Sequence, residues 1–261
     1  MTVRYEVQDG VAVVTFNRPD VLNAFDEEMG RAALKAIDEA AEDADVRCIV
    51  ITGEGRAFSS GEDLGALAAG YKRGETPPLG DILTNRYNPM IRAITGAPKP
   101  VVAAVNGVAA GAGASVALAC DYRIAAEEAK FILAFVKVGL VPDSGALWFL
   151  ERALGTARAW QLASTGEPLD AEEALGIGLV TKVVPAEQLE KETKDFASGL
   201  AAGPTRAYAL IKKLLYGATD RSLHDQLEAE IDAQTEAGRS QDHLEGVQAF
   251  FEKRPPKFRG E

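Results

Sequence analysis

Apolar residues follow two rhythms along this chain. Unbroken runs rich in β-branched residues recur in the first two thirds. Val11-Ala-Val-Val-Thr-Phe16, Cys48-Ile-Val-Ile-Thr52 and Val101-Val-Ala-Ala-Val105 are the clearest. They are closed by Asn17-Arg18-Pro19, Gly53-Glu-Gly55 and Asn106-Gly107. Runs that do not alternate with polar residues predict strands buried on both faces. Shorter strand candidates lie at 121–125, 130–133 and 179–184. Between the runs the spacing turns helical. Asp26-Glu27-Glu28 places acids at a helix N-terminus, where the backbone dipole favours them, and Met29, Ala33, Ile37 and Ala40 supply its inward stripe. A second helix is expected at about 80–94. The segment 67–78 mixes Gly, Lys, Glu and Pro and reads as a mobile loop.

From Ser144 onward helical spacing dominates. Helices are predicted at 144–154, 158–164 and 171–175, each followed by a glycine that can stop it. Further helices are expected at 185–200, 204–215, 222–237 and 242–250. The organisation predicted is α/β, with a core over residues 1–200 and a helical region over 201–261.

Charge and cysteine usage narrow the class. The 261 residues include 39 Asp+Glu and 28 Lys+Arg, a net charge of −11, which argues against a general nucleic-acid binder. Cys48 and Cys120 both sit in apolar runs, without metal-ligand or disulfide spacing, so two buried thiols in a reducing compartment are expected. The first residues carry charge and lack an apolar core segment, so no signal peptide and a cytoplasmic location are expected. Residues 101–120 form an uncharged stretch of membrane-spanning length. Asn106-Gly107 interrupts it, and Gly111, Gly113 and many alanines follow. It reads as a buried strand, a tight turn and a buried helix, with no membrane partner.

Three segments carry candidate chemistry. Ala57-Phe-Ser-Ser-Gly-Glu-Asp-Leu64 follows a strand, and Gly61 would let a ligand approach the main chain; a plain turn is the alternative. Asn106-Gly-Val-Ala-Ala-Gly-Ala-Gly-Ala-Ser115 also follows a strand and runs into a helix, whose first N–H groups could stabilise an anion; close helix packing is the alternative. It is no dinucleotide fingerprint, since Val116 stands where a third glycine is needed. Together the two turns could aim one amide each at a shared oxyanion. The third segment is Gly139-Leu-Val-Pro-Asp-Ser-Gly145. Asp143 there is either a helix N-cap or a carboxylate whose pKa is raised by apolar neighbours, hence a general base. Ala57-x-Ser59-x-Gly61 lacks the first glycine of a nucleophile elbow. The two histidines, His224 and His243, lie in polar helical stretches, so a hydrolase triad lacks support.

At these residues the chain resembles the enoyl-CoA hydratase/isomerase, or crotonase, superfamily. The matching segments are Asn17-Arg-Pro19, Asn23-Ala-Phe25, Phe58-Ser-Ser-Gly-Glu-Asp-Leu64, Lys99-Pro-Val-Val-Ala-Ala-Val-Asn-Gly107 through Gly113, Gly139-Leu-Val-Pro142 and Phe250-Phe-Glu-Lys-Arg-Pro-Pro-Lys-Phe258. The resemblance implies a spiral of ββα units followed by helices that form a homotrimer, often a hexamer. It implies an acyl-CoA thioester substrate, and deprotonation beside a thioester needs no cofactor and no metal. Carried over residue by residue, the oxyanion amides fall on Glu62 and Ala112. Ala24, Ala57, Ser60, Gly61, Asp63, Leu64, Val108, Gly111 and Phe135 fall along the acyl-CoA site. Phe250 and Lys253 would close it, from this chain or a neighbour. Arg18, Arg56 and Lys253 are candidates for the CoA phosphates.

One departure matters. Hydratases of the family use two glutamates, and those positions fall on Ser115 and Phe135 here. Asp143 remains as the one acid. The text around it, with Trp148, Tyr87-Asn-Pro-Met-Ile-Arg92 and Ala109-Ala-Gly-Ala-Gly113, looks like the subgroup of ring-1,2-epoxyphenylacetyl-CoA isomerases. That resemblance implies an isomerase in which Asp143 shuttles a proton and Phe135 packs on the acyl group. A hydratase working through Glu62 and a non-catalytic acyl-CoA binder are the alternatives.

Overall fold

The computed structural model describes residues 1–261. Its strands are β1 (Val3–Gln8), β2 (Val11–Phe16), β3 (Cys48–Gly53), β4 (Ala57–Ser59), β5 (Val101–Val105), β6 (Val108–Ala110), β7 (Tyr122–Ala126), β8 (Lys130–Ile132), β9 (Leu169–Asp170) and β10 (Lys182–Val184). Six of them form one sheet in the order β1-β2-β3-β5-β7-β10, and the others form a smaller sheet in the order β4-β6-β8-β9. In the large sheet only β1 runs antiparallel to its neighbour. The chain builds both sheets by repetition. A long strand of the large sheet ends in a tight turn, a short strand of the small sheet follows, and a helix returns the chain. The predicted crotonase-like spiral of ββα units is the observed architecture.

Helices cover the sheet as the apolar spacing predicts. Helix Glu27–Glu42 is capped by Asp26, whose side chain accepts from the Met29 N–H at 2.8 Å. Met29, Ala33, Ile37 and Ala40 on its inner face are all fully buried. Cys48 and Cys120 are buried, and burial pushes both thiols up to about 12. His224 and His243 are exposed, as expected.

Three expectations need correction. The segment read as a loop begins instead as the helix Leu64–Lys72, because Asp63 caps it by accepting from the Ala66 N–H at 3.1 Å. The two helices expected at 144–154 and 158–164 are one helical span, Ala146–Thr165, kinked at Gly155. It starts two residues late because Ser144 and Gly145 both have positive φ, 53° and 77°. Only Lys182–Val184 of the 179–184 run pairs in the sheet; Leu179 and Val180 enter the core instead.

Beyond Gly203 the chain forms the helices Thr205–Ala218, Leu223–Gly238 and Gln241–Glu252. A buried ion pair fastens the first of them to the sheet. Lys212 Nζ donates to Asp121 at 2.9 Å and to the Ile94 carbonyl at 2.8 Å, while the Val101 N–H donates to the same Asp121 oxygen at 2.8 Å. Breaking such a pair on one side strands a charge away from water. Lys212→Met is therefore expected to lower stability by about 3 kcal/mol, read as a lower urea midpoint with unchanged slope.

Candidate active site

The site follows from the small sheet. β4 and β6 are adjacent and parallel, with Ala57 opposite Val108 and Ser59 opposite Ala109. Neighbouring parallel strands lie about 4.8 Å apart, so whatever leaves their C-terminal ends also starts side by side. Gly61 leaves one end and Gly111 the other. Both have positive φ, 92° and 51°. A Cβ added to Gly61 would sit 3.2 Å from the Ala112 nitrogen and 2.8 Å from the Ala110 oxygen, so only glycine permits this approach.

Backbone pairing then decides which amides remain free. Gly61 O accepts from Phe25 N–H at 2.7 Å, and Asp63 N–H donates to Phe25 O at 2.9 Å. In an extended segment alternate peptide groups point to opposite sides. The Glu62 N–H between them therefore faces away from Phe25. It has no acceptor in the protein, and neither has the Ala112 N–H that opens the helix Ala112–Ala119. Two free donors at adjacent strand ends are what an oxyanion requires.

Buried side chains hold this loop. Asn23, itself at φ 55°, donates to the Glu54 and Ala57 carbonyls at 2.9 and 2.7 Å. Ser59 Oγ donates to Asn23 O at 2.8 Å and accepts from Gly61 N–H at 3.2 Å, which makes it structural and not a nucleophile. Arg18 bonds Ala24 O at 2.6 Å, Asp63 at 3.0 Å and Asp26 at 3.2 Å. Its guanidinium thus holds the loop together. Arg56 is exposed and makes no ion pair or side-chain hydrogen bond.

Asp143 is half-buried, and its carboxylate has one partner, the Ser144 hydroxyl at 2.8 Å. It does not cap the following helix, whose N-cap is Gly145. Burial raises its pKa above the usual carboxylate range, the Ser144 hydrogen bond opposes that, and the Glu62 charge adds to it. Ser115, at the first glutamate position of the resemblance, donates to the Asp143 carbonyl at 3.1 Å and so ties that loop to the glycine-rich helix. Phe135, at the second, is buried, its ring edge 4.0 Å from where a Gly111 Cβ would lie. The structure thus gathers Gly61, Glu62, Gly111, Ala112, Phe135 and Asp143, with Ala24, Ser60 and Asp63 on the neighbouring loops, Ala57 on β4, Leu64 at the start of the helix Leu64–Lys72 and Val108 on β6.

Phe250 and Lys253 are not brought there within one chain. Phe250 is 78% exposed and lines a surface cleft with Pro204, Val247 and Phe258, and Lys253 is also exposed. An apolar cavity of about 570 Å³, lined by Leu118, Trp148, Ile211 and Tyr216, includes none of Glu62, Ala112 and Asp143. No helix is long and apolar enough to cross a membrane. Sequence reasoning missed Arg86 and Tyr87, which grip the Glu62 carboxylate. Arg86 donates at 2.7 and 2.8 Å and the Tyr87 hydroxyl at 2.6 Å.

Comparison with known proteins identifies the family and the fold. The enoyl-CoA hydratase/isomerase family model matches residues 6–261. A probable enoyl-CoA hydratase of Rhodobacter capsulatus is 46% identical over 99% of this chain and 98% of its own length. The 1,2-epoxyphenylacetyl-CoA isomerase of Escherichia coli is 44% identical over 97% of both chains. The crystal structure of an enoyl-CoA hydratase from Bacillus anthracis superposes with a TM-score of 0.93 at 31% identity over the full length of both. From its sheets, its paired glycine turns and this end-to-end similarity, the chain belongs to the enoyl-CoA hydratase/isomerase family of crotonase-fold enzymes.

Proposed function

We propose that the protein is an acyl-CoA isomerase. The observation that carries this reading is the solitary state of Asp143, the one acid near the two free amides that no basic group engages. In the proposed reaction the thioester oxygen lies between the N–H groups of Glu62 and Ala112. Asp143 removes a proton from the carbon beside the thioester carbonyl, the amides hold the resulting enolate, and the acid returns the proton two carbons further along. The double bond moves, and nothing is consumed. Phe135 packs on the acyl group. That aromatic wall and the similarity to the Escherichia coli isomerase favour a ring-1,2-epoxyphenylacetyl thioester as substrate, its epoxide opening to the oxepin. No cofactor is needed.

The proposed assembly is a homotrimer or a dimer of trimers. Leu223, Leu227, Ile231, Leu244, Phe250 and Phe251 on the last two helices are exposed, a surface that favours burial against further copies. Phe250 and Lys253 would then reach a neighbour's site.

Hydration is the second reading, favoured by the similarity to the Rhodobacter protein. Against it, the other acids at the site are already engaged: Glu62 accepts from Arg86 and Tyr87, and Asp63 pairs with Arg18. A panel of 3-enoyl, 2-enoyl and epoxyphenylacetyl thioesters tests both. Turnover of the 3-enoyl and epoxide substrates, with water addition to crotonyl-CoA at least about 100-fold slower, is expected for a site with one free acid. Fast hydration of crotonyl-CoA would reverse the assignment.

A further inference from the structure

Glu62 is needed for its main-chain N–H, yet its side chain is the most heavily engaged in the site. The carboxylate is 19% exposed and Arg86 13%. Arg86 and Tyr87 are consecutive, and on an α-helix consecutive side chains diverge by about 100°. Here they end a five-residue π-helical stretch, Leu83–Tyr87, whose wider turn narrows that divergence and lets both reach one partner. The neighbours make room for the arrangement. A Cβ on Gly30 would fall 2.5 Å from the Arg86 Cγ, so glycine there is what admits the arginine stem. The Phe25 ring packs edge-on against Tyr87 at 5.7 Å.

We propose that Arg86 and Tyr87 are positioning residues that hold the Glu62 peptide toward the acyl oxygen and cancel the Glu62 charge beside the forming enolate. The proposal rests on the enolate reading given above. Its physical basis is that a carboxylate next to a developing oxyanion opposes the reaction unless a fixed cation offsets it. The same carboxylate raises the Asp143 pKa, so the cation paired with it bears on the proposed base as well. Arg86 and Tyr87 are the groups that face Glu62 in turn, and burial together with Glu62 keeps the Tyr87 phenol protonated.

The test is a charge cycle assayed on a 3-enoyl-CoA, with folding checked by circular dichroism. Arg86→Gln should lower kcat by about 10–100-fold with little change in KM, and move the acid limb of kcat/KM upward by about half a pH unit. Arg86→Lys, which keeps the cation, should recover most of the loss. Removing both charges in Glu62→Gln/Arg86→Gln should be faster than Arg86→Gln alone, a coupling that a merely structural arginine would not show. An unmoved acid limb, or a double variant no faster than the single one, overturns the proposal while leaving the isomerase reading intact. Retained turnover in Asp143→Asn would instead overturn that reading and this proposal with it. If Arg86→Gln does not fold, the comparison of Arg86→Lys with wild type decides, since a charge role predicts near-normal turnover and an unshifted limb.

Discussion

Asp143→Asn is expected to cut double-bond migration by about 10²–10⁴-fold while leaving the fold intact, because the amide can neither take the proton nor return it. The acid limb of kcat/KM in the wild type should lie above the usual carboxylate range, since burial raises the Asp143 pKa and only its ionised form can start the reaction. The same shift sets the sign of a stability effect. The native carboxyl titrates above the unfolded one, so between the two values the native state binds the extra proton. Stability falls as pH rises through that window and stays lower above it. Asn removes a desolvated charge, so the variant's Tm at pH 7 should equal or exceed that of the wild type. A dead variant with a markedly lowered Tm would indicate lost folding and not lost chemistry.

The second large effect is expected at Gly61. Gly61→Ala places a methyl 3.2 Å from the Ala112 nitrogen and 2.8 Å from the Ala110 oxygen, at a φ of +92°. Either the methyl fills the space meant for the acyl oxygen or the two strand ends part. Both outcomes remove a donor, worth about 10²–10³ in kcat. Gly74→Ala is the matched control. Gly74 also has positive φ, 75°, but nothing lies within 4 Å of its added methyl. It should show comparable backbone strain with turnover kept. Equal losses in the two variants would assign the Gly61 effect to strain alone.

Much of this was legible in the chain, for reasons that differ by element. β2 was readable because burial on both faces leaves an unbroken apolar run, and the Met29-Ala33-Ile37-Ala40 stripe because burial on one helix face leaves a period. The two glycine turns were readable as candidate donors because each comes soon after a strong strand run, although the short strands β4 and β6 that lead into them leave no such run. The helix Leu64–Lys72 was not, since Gly65, Gly70 and the prolines beyond weaken its helical signal, while its start depends on the Asp63 cap. Asp143 stood between two readings until the left-handed Ser144 settled the helix start, and a non-glycine residue at positive φ leaves no mark in sequence. The grip of Arg86 and Tyr87 on Glu62 joins groups 24 and 25 residues apart through a π-turn, which apolar spacing does not encode.

The adjacency of β4 and β6 has a consequence for how such an enzyme can change. In the proposed reaction the two free amides that receive the acyl oxygen are peptide groups whose places are set by strand register, whereas the acid proposed to carry the proton rides on a separate loop, 139–145. Positions 115, 135 and 143 can therefore exchange carboxylates for hydroxyls or rings with that amide pair inherited intact. One scaffold can diversify its chemistry by point substitution, without rebuilding its means of binding a thioester.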